Sequence, residues 1–79
     1  MQIPIINVPV TGAKINALRQ QKGMSVKDMQ KIFGFATPQA IYKWIHGQNL
    51  PSTDNLVILA NIFNTTIDDI LSTDWVEIK

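Results

Sequence analysis

No cysteine occurs in the chain, so neither a disulfide nor a thiolate metal site is available to staple the fold. The core has to come from leucine, isoleucine, valine, phenylalanine and methionine. A single histidine, His46, leaves no histidine-based metal site. There is no glycine-rich phosphate loop, and caps and solvated faces account for the acidic residues, which argues against an enzyme and against a cofactor. Adjacent helix positions such as Asp68 and Asp69 do not converge on one ion. Long apolar runs are also missing. The N-terminal stretch MQIPIINVPV is broken by Pro4 and Pro9 and has no basic leader, so it reads as neither signal peptide nor membrane span. A reducing cytoplasm is the expected home, which the absence of cysteine permits, and neither a membrane association nor a small-molecule ligand is expected.

Acidic residues are nearly absent from the first 50 positions. Asp28 stands alone there against Lys14, Arg19, Lys22, Lys27, Lys31 and Lys43, a net charge of +5, whereas positions 51–79 set Asp54, Asp68, Asp69, Asp74 and Glu77 against Lys79, a net −4. A basic half suits a phosphate backbone, because each neutralised phosphate releases condensed counterions. Two ordinary solvated faces would give the same division, and Asp68 and Asp69 also fit the first turn of a helix.

What is present is a series of short helical patterns without repeats or linkers. The 79 residues make one small domain, and a chain of this size buries only roughly 60 to 65 % of its surface. Gly12 to Lys22 places Ile15 and Leu18 on one face, and Gly23 ends it. A second helix opens at Ser25, a good N-cap, carries the stripe Val26, Met29, Ile32 and Phe33, and closes at Gly34. A third opens with Thr37-Pro38, a cap followed by proline at the first helical position, turns Ile41, Trp44 and Ile45 inward, and closes at Gly47. Ser52 caps a fourth with Leu56, Leu59, Ala60 and Phe63 inward, and Leu50 is expected to plug the gap between the third and fourth. A last helix after Thr65-Thr66 buries Ile67, Ile70 and Leu71. The second and third are too short to stand alone, so a shared core has to hold them.

The stretches LRQQKGMSVKDMQKIFGF, PQAIYKWIHGQNLPS and DNLVILANIFNTTIDDIL together resemble the Cro/C1-type, XRE-like helix-turn-helix family of phage repressors and bacterial transcriptional regulators. The features that carry the resemblance are Leu18-Arg19 before a glycine turn, Gly34, Ile41 and Trp44, Gly47, Leu50-Pro51, Leu59-Ala60 and Asp68 to Leu71. The resemblance implies an all-α, compact five-helix, lambda-repressor-like domain over residues 12–71, with the helix-turn-helix at about 25–46. An extended N-terminal arm, 1–11, and a short C-terminal extension, 72–79, flank it.

The resemblance further implies a DNA-binding regulator, with repression preferred over activation, that binds double-stranded DNA as a homodimer. Its third helix, residues 38–46, would lie in the major groove. With Ile41, Trp44 and Ile45 inward, Gln39, Tyr42, Lys43 and His46 face out at i, i+3, i+4 and i+7. Expected base contacts are Thr37, Pro38, Gln39, Tyr42 and Lys43: glutamine pairs with adenine N6 and N7, lysine donates to guanine or phosphate, and tyrosine meets a sugar or a thymine methyl. Expected phosphate contacts are Ser25, Val26 and Lys27 at the start of the second helix, then His46, Gln48 and Asn49 after the third. In most folds Gln39 and Lys43 would be ordinary solvated positions and His46 a partner for the helix dipole. The same fold also serves as a protein-interaction module, antitoxin or antirepressor-like.

Three departures from the family pattern bear on these contacts. Ile45 stands where many members carry a glutamate that pairs with the arginine corresponding to Arg19, so Arg19 has to reach solvent, find a carbonyl or point toward DNA. Gln30 replaces a small alanine, which implies a wider helix crossing or a polar contact. The turn from Gly34 to Ile41 is one residue longer than usual, with Phe35 to anchor it. Ile3, Ile5, Ile6, Val8 and Val10, like Trp75 to Ile78, have strand character. They could pair within one chain or form a dimer interface, and packing across the domain's own helices is slightly preferred.

Overall fold

Asn7 sets where the first helix begins. In a computed structural model of the chain, which describes residues 1–79, its side chain accepts the Val10 N–H at 3.0 Å and α1 runs Val8–Gln21. Pro9 falls in the first turn, where its missing N–H costs nothing because those donors have no intrahelical partner. The prolines therefore do not hold residues 8–11 extended. Within residues 1–11 only Gln2–Ile6 is a strand, β1.

Ser25 caps α2 (Val26–Phe33), and the cap is reciprocal: Asp28 N–H donates to Ser25 Oγ at 2.9 Å, and Ser25 N–H donates to the Asp28 carboxylate at 2.9 Å. Gly34 ends the helix at φ 68°, a left-handed conformation that glycine adopts without steric penalty. The helix α3 covers Gln39–Ile45, with Pro38 and His46 as flanking residues, so the proline sits one position earlier than the first-turn site its sequence context predicts. Ser52 caps α4 (Thr53–Ile62), and Thr66 caps α5 (Ile67–Ile70). None of these helices is long and apolar enough to cross a membrane.

Eight side chains form the core: Ile15, Met29, Ile41, Trp44, Leu56, Leu59, Phe63 and Ile70. Each helix contributes to it. Ile32, expected inward on the α2 stripe, is 46 % exposed, and Met29 alone is fully buried there. The α1 and α3 backbones approach very closely at Gly12, where a Cβ would lie 2.1 Å from the Trp44 carbonyl oxygen.

The chain ends make the fold depart from pure helix. β1 pairs antiparallel with β2 (Thr73–Glu77) in the register Ile3↔Val76, Pro4↔Trp75 and Ile5↔Asp74. Asn7 N–H donates to the Ser72 carbonyl at 2.7 Å, Ser72 N–H donates to the buried Thr11 hydroxyl at 2.9 Å, and the Asn7 amide donates to Asp74 at 3.0 Å. These bonds tie the ribbon's base to α1. Its strands do not lie across the helices as expected, because every β2 residue is exposed. The radius of gyration, 13.2 Å, exceeds the value of about 12 Å for a compact domain of this length.

Candidate nucleic-acid interface

The outward face of α3 is fixed by its inward one. Ile41 is fully buried and Trp44 nearly so, and Ile45 is half-buried. At 3.6 residues per turn this leaves Gln39, Tyr42, Lys43 and His46 exposed together. The Tyr42 and His46 rings stack one turn apart with centroids 5.8 Å apart.

The longer turn before α3 is held by aromatic packing and by one amide. Phe35 stacks on Phe33 at 5.3 Å, and both meet Trp44 edge-on, at 5.8 and 5.3 Å. Gln30 Nε2 donates to the Phe35 carbonyl at 3.2 Å. Glutamine in place of the family's alanine thus fastens the turn with a polar contact. The extra residue leaves Ala36 and Thr37 exposed, and the Thr37 hydroxyl accepts the Gln39 N–H at 3.4 Å.

Arg19 finds a carbonyl. Its guanidinium donates to Met24 O at 2.7 Å and twice to Asn16 Oδ1, at 2.8 and 3.1 Å. The missing glutamate at Ile45 is replaced by these two acceptors, and Arg19 is spent on holding the α1–α2 turn rather than on a ligand.

Thr37, Gln39, Lys43 and Asn49 converge on one open cleft beside α3, whose floor includes Ala40 and Trp44. Leu50 and Asn55 also line it, so Leu50 faces the space between α3 and α4 as expected. Asn55 was not among the expected contacts. Its position three residues after the Ser52 cap could have marked it, since the Asn55 N–H donates to Ser52 Oγ at 3.4 Å and the residue lines the cleft. Pro38 is half-buried and does not line the cleft. Ser25, Val26 and Lys27 lie apart from the cleft at the start of α2, with Ser25 and Lys27 exposed and Val26 half-buried.

The backbone decides which groups remain for a ligand. The N–H groups of Gln48 and Asn49 both reach the Lys43 carbonyl, at 2.9 and 3.4 Å, so these residues offer side chains only. At α2 the Ser25 and Asp28 N–H groups are used in the cap, whereas those of Val26 and Lys27 have no intrahelical acceptor. Ser25 Oγ accepts the Asp28 N–H, and its hydroxyl also serves the Asp28 carboxylate. The Ser25 backbone N–H, and then its hydroxyl, hold the Asp28 carboxyl below its ordinary pKa, with Lys31 adding to the effect.

A family model described as "Helix-turn-helix" matches residues 15–70. The chain belongs to the Cro/C1-type helix-turn-helix family. The Cro/C1-type match spans α2, the long turn and α3 together and stops at the end of α5, short of the ribbon. Two solved structures share this fold. The crystal structure of the DNA-binding domain of BldD is 22 % identical with a TM-score of 0.69, the match covering 84 % of this chain and 94 % of that one. The S. venezulae BldD DNA-binding domain is also 22 % identical, with a TM-score of 0.70 and coverage of 84 % and 97 %. No curated protein sequence matches this chain.

Proposed function

We propose that the chain is a sequence-specific, non-enzymatic DNA-binding transcription regulator of the cytoplasm, a repressor rather than an activator, that binds double-stranded DNA as a homodimer. The observation that carries the reading is the quartet Gln39, Tyr42, Lys43 and His46, exposed on a helix whose opposite face is locked into the core by Ile41 and Trp44. Membership of a helix-turn-helix family and a fold shared with domains described as DNA-binding support it.

In this reading α3 enters the major groove. Gln39 pairs with adenine, Lys43 donates to guanine O6 or N7, Tyr42 packs on a sugar or a thymine methyl, and Thr37 and Pro38 approach base edges at the leading end. Phosphates on one side meet the free N–H groups of Val26 and Lys27, the Lys27 ammonium and the Ser25 hydroxyl. Those on the other side meet the side chains of His46, Gln48 and Asn49. The excess of basic residues in positions 1–50 favours this placement, and the preference for repression rests on resemblance to phage repressors.

Salt titration tests the reading. Fluorescence anisotropy with a mixed-sequence DNA duplex should give a log K against log salt slope of about −0.9 for each neutralised phosphate. Binding that is absent at low salt, or flat across the titration, contradicts it. A flat titration alongside capture of a protein partner would favour the protein-interaction module instead.

A further inference from the structure

The ribbon has two edges of unlike chemistry. Its ladder runs through Ile78 N–H to Met1 O at 2.8 Å and Asn7 N–H to Ser72 O at 2.7 Å, so odd-numbered β1 residues and even-numbered β2 residues turn their main-chain groups inward. The main-chain groups of Pro4 therefore point out along the β1 edge, where a missing N–H blocks addition of another strand. Those of Thr73, Trp75 and Glu77 point out along the β2 edge. Nothing covers them, and no proline, lysine or bulge interrupts that edge.

The side chains around the open edge are apolar beyond what a solvated ribbon needs. Trp75 is 65 % exposed on the face that also carries Ile6 at 38 %, and Val76 is 40 % exposed on the other face with Ile5 and Ile78, each at 47 %. Isolated two-stranded ribbons are marginal in water, and this one is held to the helices at its base.

We propose that the β2 edge is an interface for a second copy of this chain, joining two ribbons into a four-stranded sheet of order β1-β2-β2′-β1′ about a twofold axis. The proposal deepens the homodimer part of the function proposed above and rests on it. An antiparallel edge is self-complementary under a twofold, which a foreign segment need not be. Charge narrows the register. Centring the axis on Asp74 or Glu77 would set identical carboxylates directly opposite, which is destabilising. An axis on Thr73, the first residue of β2, would pair the strand with residues that precede it rather than with itself, so Trp75 and Val76 remain. Centred on Trp75, the axis aligns Pro4, Trp75 and their symmetry mates in one row; centred on Val76, it aligns Ile3, Val76 and theirs. Both rows are wholly apolar.

Because the chain has no cysteine, single introduced thiols report this contact without background. Facing Cα atoms in an antiparallel pair lie about 4.5 to 5.5 Å apart, within disulfide reach. Under mild oxidation Trp75→Cys or Val76→Cys should give covalent dimer while Gln2→Cys, on the blocked edge, should not. Sedimentation equilibrium of the whole chain without DNA should show a monomer–dimer equilibrium, and Trp75→Lys should weaken it by about tenfold or more with unchanged circular dichroism. A chain that stays monomeric at high micromolar concentration overturns the proposal. So does a dimer that survives Trp75→Lys and is trapped at neither thiol. Either failure, found beside intact salt-dependent DNA binding, removes this interface and leaves the DNA reading standing; loss of DNA binding with an intact dimer does the reverse.

Discussion

Gly12 offers the sharpest test of how α3 is positioned. Inside an α-helix, glycine to alanine normally stabilises by about 1 kcal/mol. Here the added Cβ would sit 2.1 Å from the Trp44 carbonyl oxygen, 3.1 Å from Gly47 N and 3.2 Å from the Trp44 carbonyl carbon. All three are backbone atoms, so no side chain can swing away. Relief to an ordinary carbon–oxygen contact needs the two helices to separate by about 1 Å, and overpacking of this kind costs about 1 to 3 kcal/mol and occasionally more. With rigid backbone on both sides we take the upper end, which leaves a net loss of about 2 kcal/mol after the helix-propensity gain. For a domain of this size that lowers Tm by about 8 to 16 °C. Thermal unfolding followed by circular dichroism reads the change directly. A Tm that is unchanged or raised in Gly12→Ala would refute the close crossing, because propensity alone would then be in control.

Other perturbations follow from the same contacts. Arg19→Met should lose the bonds to Met24 and Asn16 and destabilise by about 1.5 to 3 kcal/mol; urea unfolding at unchanged stability would contradict the assigned partners. Phe35→Ala should cost about 1.5 to 3 kcal/mol through loss of the stacked cluster of this half-buried ring with Phe33 and Trp44, read by the same method. Asp28 has a depressed pKa in the folded state, so the stability it contributes is present above the unfolded carboxylate pKa and fades as pH falls through the lower folded value. Asp28→Asn should flatten that acid limb in a pH series of unfolding midpoints, and an unaltered limb would count against the capping box.

Much of the helical framework around the candidate interface was legible because it depends on local signals. Ser25, Gly34, Gly47 and Ser52 mark helix ends whose causes are neighbouring residues, and the spacing of Ile41 and Trp44 gives the exposed face of α3 without knowledge of the core. What escaped depends on distant partners. Gly12 looks like a helix start in sequence because its meaning lies in the Trp44 carbonyl, 32 positions away in the chain. Pro9 reads as a strand breaker until Asn7 is seen to cap a helix around it. The fate of Arg19 turned on Asn16 and Met24 rather than on the position the family uses. Pairing of β1 with β2 joins opposite ends of the chain, and neither strand's alternation could reveal which surface it would cover.

The central claim is that α3 reads base edges. Selection of sites from a random double-stranded DNA pool, performed with the wild-type chain and repeated with Gln39→Ala and Lys43→Ala, tests it most directly. A discrete enriched site for the wild type, relaxed by each substitution at particular base pairs worth about 1 to 3 kcal/mol each, is the predicted result. A pool with no enriched site, or one whose site is unchanged by both substitutions, would contradict the claim.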